Sequence, residues 1–250
     1  MPAFWTFDII LVDDASTDGT TIAVLEEFPS VEIIGGDGDW FWAKSMAVAE
    51  KHIKNFPNLV IWINDDVELA KDSLSTISKS HLEYPDSILV GQLKELNTDQ
   101  VSYGGLRQLG RHPLKYEQIS TFEDHKRADA FHGNFVVVPT EVFKKVAGID
   151  GNFSHAYADF DYALRARKYG FEILIVPGFV GICSSHPFQW EGGMLSRLRF
   201  INSKKGLPLK SQIRYLKRHG SWWWPIYLLG PYIRAIFNIP GTADLHKDEK

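Results

Sequence analysis

Val60-Ile61-Trp62-Ile63-Asn64-Asp65-Asp66 runs four apolar residues straight into three polar ones, two of them carboxylates. An unbroken apolar run of this length suits a strand buried on both faces, as in a parallel sheet flanked by helices. Its end emerges as an acidic turn, at the edge of an open α/β sheet where ligands are held. Two hard oxygen anions there suit Mg²⁺ or Mn²⁺, which would in turn hold a diphosphate. The same residues also suit a solvated turn that caps the next helix.

A second strand points to the same edge. Phe7-Asp8-Ile9-Ile10-Leu11-Val12 is largely apolar and ends in Asp13-Asp14, ahead of a turn over residues 15–20. The helix after it is expected to turn Ile22, Leu25 and Phe28 inward and to stop at Pro29, with Asp18 or Thr20 as N-cap. Val31-Glu32-Ile33-Ile34 is a third strand, followed by Gly35-Gly36-Asp37-Gly38-Asp39 and a helix over residues 43–53. That glycine loop lacks the G-x-G-x-x-G pattern, and Asp37 and Asp39 would repel a phosphate, so it is no simple phosphate cradle. Lys44, on the following turn, can still reach an anion.

Downstream, residues 72–81 read as helix and 87–90 as strand, whereas residues 92–127 show no clear period. So long a stretch is expected to cover a site or to move. His132-Gly133-Asn134 feeds a buried strand over residues 135–139, and a helix over 140–146 follows. Between residues 157 and 170, Phe160, Ala163 and Leu164 share a helical face, with Gly170 as the stop. Asp159 and Asp161 fall in the first turn, where the helix dipole favours carboxylates, so one of the two is expected to be structural. Residues 171–176 form a last core strand, and His186 lies just beyond it. No pair of histidines has the spacing of a zinc helix.

Charge is divided unevenly along the chain. Met1 to Glu191 carries 16 Lys+Arg against 28 Asp+Glu, whereas Gly192 to Ala243 carries 9 Lys+Arg and no acid. The basic stretch is therefore expected to face an anionic partner. Trp222-Trp223-Trp224 opens an apolar run to Ile239 that is interrupted by Pro225, Gly230, Pro231 and Arg234, short of the ~20 clean residues of a membrane crossing. It suits either an anionic membrane surface or docking on the body of the protein. The acidic body argues against nucleic acid. At 250 residues and 44% hydrophobic, the chain reads as one domain over residues 1–190 with an appendage over 191–250. The lone Cys183 excludes an internal disulfide and, with no leader-like opening, fits a cytoplasmic location, peripheral at the inner membrane face if the tail binds lipid.

Four blocks together resemble the family-2 glycosyltransferases, inverting enzymes of the GT-A fold. They are I-L-V-D-D-A-S-T-D-G-T, W-I-N-D-D-V, H-G-N-F-V-V-V-P with V-A-G-I-D-G-N-F, and A-D-F-D-Y-A-L-R-A-R-K-Y-G. They stand in the family's order. The resemblance implies a Rossmann-like α/β fold, a mostly parallel sheet flanked by helices, and transfer of a sugar from a nucleotide-diphosphate donor to a saccharide or lipid-linked acceptor. It also points to rhamnose-type transfer in bacterial cell-surface polysaccharide synthesis. Asp13 and Asp14 would contact the nucleotide, with Lys44 and Asp65 on its phosphate side. Asn64 and Asp66 would be the D-x-D metal motif in its N-x-D form, joined by His186, with Mg²⁺ or Mn²⁺ as cofactor. Asp159 would be the general base, although Ala158 stands where the family has glutamate. Family members carry a strand and helix ahead of the V-D-D block that this chain lacks. That strand would lie between the Val12 and Ile63 strands.

Other readings compete. A phosphoryl-accepting receiver module also places aspartates after two strands, but it lacks use for Asp159 and ends well short of this length. A haloacid-dehalogenase-type phosphatase needs its nucleophile where Ser16 stands. A nucleotidyltransferase would show a basic glycine-rich opening loop. A truncated relic that keeps the scaffold for binding is the main alternative to catalysis.

Overall fold

The computed structural model describes residues 5–53, 57–154, 156–185, 192–203 and 206–239. The first strands and helices are β1 (Ile10–Asp13), α1 (Thr20–Glu27), β2 (Glu32–Gly35), α2 (Phe41–Lys51), β3 (Leu59–Ile63), β4 (Glu68–Leu69) and α3 (Ser73–Glu83). Then come β5 (Ile88–Lys94), β6 (Val101–Tyr103), β7 (Gly105–Gln108), β8 (Tyr116–Gln118), β9 (Lys126–Arg127), β10 (Ala130–Phe131), β11 (Phe135–Pro139) and α4 (Thr140–Val146). The chain continues through α5 (Ala158–Lys168), β12 (Ile173–Ile182), α6 (Met194–Ile201), α7 (Leu209–His219) and α8 (Trp224–Phe237).

The main sheet runs β3-β11-β5-β12-β4, with β6 added to β5 and β9 to β12. Its pairing is mixed: β5 and β12 are parallel, but β11 lies antiparallel between β3 and β5. The Val60–Ile63 strand thus takes an antiparallel neighbour rather than the parallel one its apolar run suggests. Being apolar on both faces requires only that both faces be covered, and it does not fix direction. They are covered. Ile88, Val90, Val136, Val138, Trp62 and Ile175 point to one cluster with α4, α5 and α7. Leu89, Val137, Phe135 and Leu174 point to the other, with Ile77 of α3. The alternation is the two-residue period of a strand.

Two expectations need correction. Residues 92–127 are ordered into short strands, of which β7 and β8 join β10 in a three-stranded antiparallel sheet. Strands of three or four residues are too short to show a period in sequence. Second, α1 does form, but Ile22, Leu25 and Phe28 are exposed, Ile22 at 65%, and no residue of α1 is buried. The physical reason is the sheet beneath it. β1 and β2 form a separate parallel pair, and among the described residues neither β1 nor β3 has a second neighbour. A two-stranded sheet offers too little surface to bury a helix face.

The basic C-terminal stretch is helical, and α7 docks on the body. Tyr215 and Leu216 enter the main cluster, and Tyr215 stacks on Tyr157 with ring centroids 4.7 Å apart. Its cations find the body's own acids. Arg214 and Arg218 pair with Asp150, and Arg218 and His219 with Asp161. Part of the anionic partner expected from the charge pattern is therefore internal.

Candidate active site

The site grows around the segment His132-Gly133-Asn134, which leads into β11. Asp159 sits at the start of α5, where its Oδ2 accepts the Gly133 N–H at 3.1 Å and its Oδ1 the Phe160 N–H at 2.9 Å. Burial pushes its carboxyl up to about 6, with the two backbone donors pulling the other way. A partly buried carboxylate that is poised near neutrality and has both oxygens oriented has the properties of a general base.

The acidic turn is tied to the same segment. The Asn64 N–H donates to the Asn134 carbonyl at 3.0 Å, which fixes the end of β3 against β11. Asp65 and Asp66 follow on the turn and are exposed. The Asn134 side chain donates to Cys183 Sγ at 3.7 Å. Burial, reinforced by the neighbouring Asp66 carboxylate, pushes the Cys183 thiol up to about 12. It therefore stays protonated and is no nucleophile, and the bond that the thiol donates goes to the Ser184 carbonyl at 4.0 Å. Asp159 and the turn that carries Asp66, far apart in sequence, are thus both tied to one three-residue segment.

Trp42, which sequence reasoning passed over, joins the donor side to this centre. Its indole N–H donates to Asn64 Oδ1 at 2.8 Å, and its ring packs edge-on to Trp62 with centroids 6.2 Å apart. A Cβ on Gly133 would lie 2.3 Å from that ring, so only glycine lets the segment pass. The available signal was an aromatic residue at the entry to a helix directly after a glycine loop.

Asp14 is a clasp. Its Oδ1 accepts the Gly38 N–H at 2.8 Å, and its Oδ2 accepts those of Trp40 and Phe41 at 2.8 and 3.1 Å. The carboxylate thus satisfies orphan donors at the start of α2 and pins the glycine loop to the end of β1. Asp13 accepts from the Ser16 N–H at 2.8 Å and from the Thr21 hydroxyl, and these bonds hold its carboxyl below the usual range. Lys44 is half exposed, with its ammonium 3.7 Å from Asp37 and 4.7 Å from the Trp40 ring centroid. His186 lies outside the described residues.

Among the described residues no cluster of three or more His, Cys, Asp or Glu side chains could hold a metal ion. The Asn64 side-chain oxygen accepts from Trp42 with one lone pair and keeps a second. The exposed Asp65-Asp66 pair suits a hard cation that arrives with phosphate oxygens, which needs only one or two protein carboxylates.

Residues 5–147 match the sequence model of glycosyl transferase family 2. The chain belongs to that family. A search of curated proteins finds no match. Among solved structures, the family 2 chain is similar to TarS 1-349 of S. aureus in complex with UDP-GlcNAc. The TM-score is 0.55 at 16% identity, over 92% of this chain and 72% of that one. GalNAc-T7 with UDP, GalNAc and Mn²⁺ gives 0.63 at 14%, over 96% and 47%. The mannosyltransferase PcManGT of Pyrobaculum calidifontis, with GDP-Man and Mn²⁺, gives 0.51 at 15%, over 96% and 68%. At these identities the likeness establishes the GT-A fold.

Within this family 2 fold, Asp161 is the acid of α5 that is tied into the packing. Asp161 is fully buried. Burial would raise its pKa, but His219, Arg165 and Arg218 outweigh that and hold it below the usual range. It locks α5 to α7. A cavity of about 540 Å³ beside this lock is lined by Arg167, Lys168 and Arg218 among others. Arg167 pairs with Asp129, Lys168 bonds the Arg218 carbonyl, and Arg218 pairs with Asp161, so these cations already have partners.

Proposed function

We propose that this chain transfers a sugar from a nucleoside-diphosphate donor to an acceptor hydroxyl in a single inverting displacement. What supports the reading is that Asp159 accepts the Gly133 N–H while Asn64, next to Asp65-Asp66, bonds the carbonyl of Asn134. Asp159 takes the proton from the acceptor hydroxyl as its oxygen bonds to the anomeric carbon. The bond from that carbon to the diphosphate oxygen breaks, and the electron pair leaves with the diphosphate. Asp66, with Asp65, would hold Mg²⁺ or Mn²⁺, with Asn64 and His186 as further candidate ligands. When bound, such an ion neutralises charge on the leaving group. The complexes of GalNAc-T7 and PcManGT with Mn²⁺ support this choice of metal. Lys44 adds a second positive charge near the donor phosphates. Asp13 and Asp14 shape the nucleotide side through the loop they pin. The acceptor is a saccharide or lipid-linked, and the reaction belongs to cell-surface polysaccharide synthesis on the cytoplasmic side.

A binding scaffold without turnover is the second reading, favoured by the shallow burial of β1, α1 and β2. Turnover separates the two. With donor and acceptor mixtures, Asp159→Asn should lower kcat by on the order of 10²–10⁴ while leaving the calorimetric affinity for nucleoside diphosphate with Mn²⁺ unchanged. Asp66→Ala should instead weaken that affinity. Full turnover in Asp159→Asn removes the base assignment, and no heat with any nucleoside diphosphate removes the transferase.

A further inference from the structure

Helix α8 is apolar on two opposite faces. Ala235 is buried, and Trp224, Tyr227 and Leu228 pack against the main cluster. On the other side, Ile226, Leu229, Ile233, Ile236 and Phe237 are all exposed, from 42% at Ile236 to 71% at Phe237. At 3.6 residues per turn these five fall within an arc of roughly 100°, opposite Ala235. A surface helix of a water-facing domain carries one apolar stripe, and a second one marks a second partner. The exposed face continues at both ends. Trp222 and Trp223, 83% and 54% exposed, precede the helix. Exposed Met194 and Leu195 come from α6, whose Arg197 bonds the carbonyls of Ala235 and Ile236 at 2.6 and 3.4 Å.

Charge and length select the partner. Residues 192–243 hold no acid, and exposed Arg199, Lys210 and Lys217 lie on α6 and α7, both of which pack against α8. The Lys217 ammonium stands 5.4 Å from the ring of Trp224, at the start of α8. Exposed indoles next to cations and aliphatic residues are the composition of a helix lying in the headgroup layer. A protein partner would call for apolar contact without needing this one-signed charge. The helix spans 14 residues, about 21 Å at 1.5 Å each, short of the ~30 Å hydrocarbon core. No helix among the described residues is long and apolar enough to cross a membrane. Residues 240–250 offer Leu245 as their one large aliphatic side chain, too little to cover the face.

We infer that the outer face of α8, with Trp222 and Trp223, docks on an anionic bilayer surface. The inference is independent of the transfer reaction and holds for an inactive scaffold as well. The test is co-sedimentation of the full chain with vesicles of phosphatidylcholine alone or with phosphatidylglycerol. Binding should be at least tenfold stronger with the anionic lipid and should fall as salt screens the cations. Ile226→Asp with Ile233→Asp should lower the partition at least tenfold. If that pair disturbs folding by circular dichroism, Trp222→Ser lies outside the helix and should still reduce binding several-fold. The inference is overturned if the chain stays in the supernatant at low salt or if these variants bind like the parent. A concentration-dependent dimer in sedimentation velocity that abolishes pelleting also overturns it, since the face would then belong to a second copy.

Discussion

The two sides of the site are built to different depths. On the side of Asp159, the proposed base, β5 and β11 are buried almost throughout, and α5 buries Ala158, Asp161, Tyr162, Ala163 and Ala166. On the side of Asp13 and Asp14, the proposed nucleotide side, β1, α1 and β2 contribute no fully buried residue, and the loop after β2 is held by a handful of polar ties to Asp14. Under the proposed function, a base that must meet a hydroxyl within tenths of an ångström gains from a rigid core, and a nucleotide-binding flank gains from being able to close over its ligand. Rigidity is thus concentrated where geometry matters most.

The largest effect that could break this contrast concerns Asp161. Its carboxylate accepts from Arg165, Arg218 and His219, and removing it leaves Arg165 with carbonyl partners alone and Arg218 with Asp150. Asp161→Ala should cost about 3–5 kcal/mol in denaturant unfolding. Because its pKa is depressed, its stabilisation is present above the ordinary carboxyl pKa of 3.8 and is lost as pH falls below it, so parent and variant should converge in acid. Asp13→Ala, which loses bonds to Ser16 and Thr21 at the edge of the flank, should cost about 1 kcal/mol. Equal costs would mean that the flank is as firmly built as the base side.

A smaller test compares two isoleucines. Ile77 is fully buried under the sheet, and Ile77→Ala should cost about 2–4 kcal/mol. Ile22 stands mostly in solvent, so Ile22→Ser should stay within about 0.5 kcal/mol. A loss of more than about 2 kcal/mol at Ile22 would show that the outer face of α1 is covered in solution. Amide exchange sharpens the same point: β1 and β2 should exchange through local opening, and β5 and β11 only on global unfolding.

How far sequence reaches follows the same divide. The strands of the base side were legible because burial on both faces leaves apolar runs such as Phe135–Pro139. The paired acids of α5 could be placed in a first turn, but not told apart. That needed Arg218 and His219, which come from α7 more than fifty residues later. The inward face assigned to α1 failed because periodicity reports which side chains could be buried together, not whether a surface exists to bury them. The hairpins within residues 92–127 were missed because short strands carry no period. Asp14 read as a ligand contact, and the structure gives its carboxylate three backbone donors. Nothing local announces that the loop would fold back onto it.

The smallest effect sets Asp159 against Asp161, two residues apart in one helical turn with pKa values displaced in opposite directions. The folded state holds a proton on Asp159 up to about 6, whereas an unfolded aspartate releases it near 3.8. Between those values the folded chain binds more protons than the unfolded one, so stability falls as pH rises through this window. Asp159→Asn cannot titrate, and its amide places an N–H toward one of two backbone donors, a cost that does not vary with pH. The parent should therefore lose about 1 kcal/mol relative to the variant between about pH 4 and pH 7, less than the full shift because the carboxylate keeps some contact with water. Turnover of the parent should rise over the same window as the base is uncovered. A stability difference that stays flat across it would show that the carboxyl is ionised throughout and that the core does not tune it.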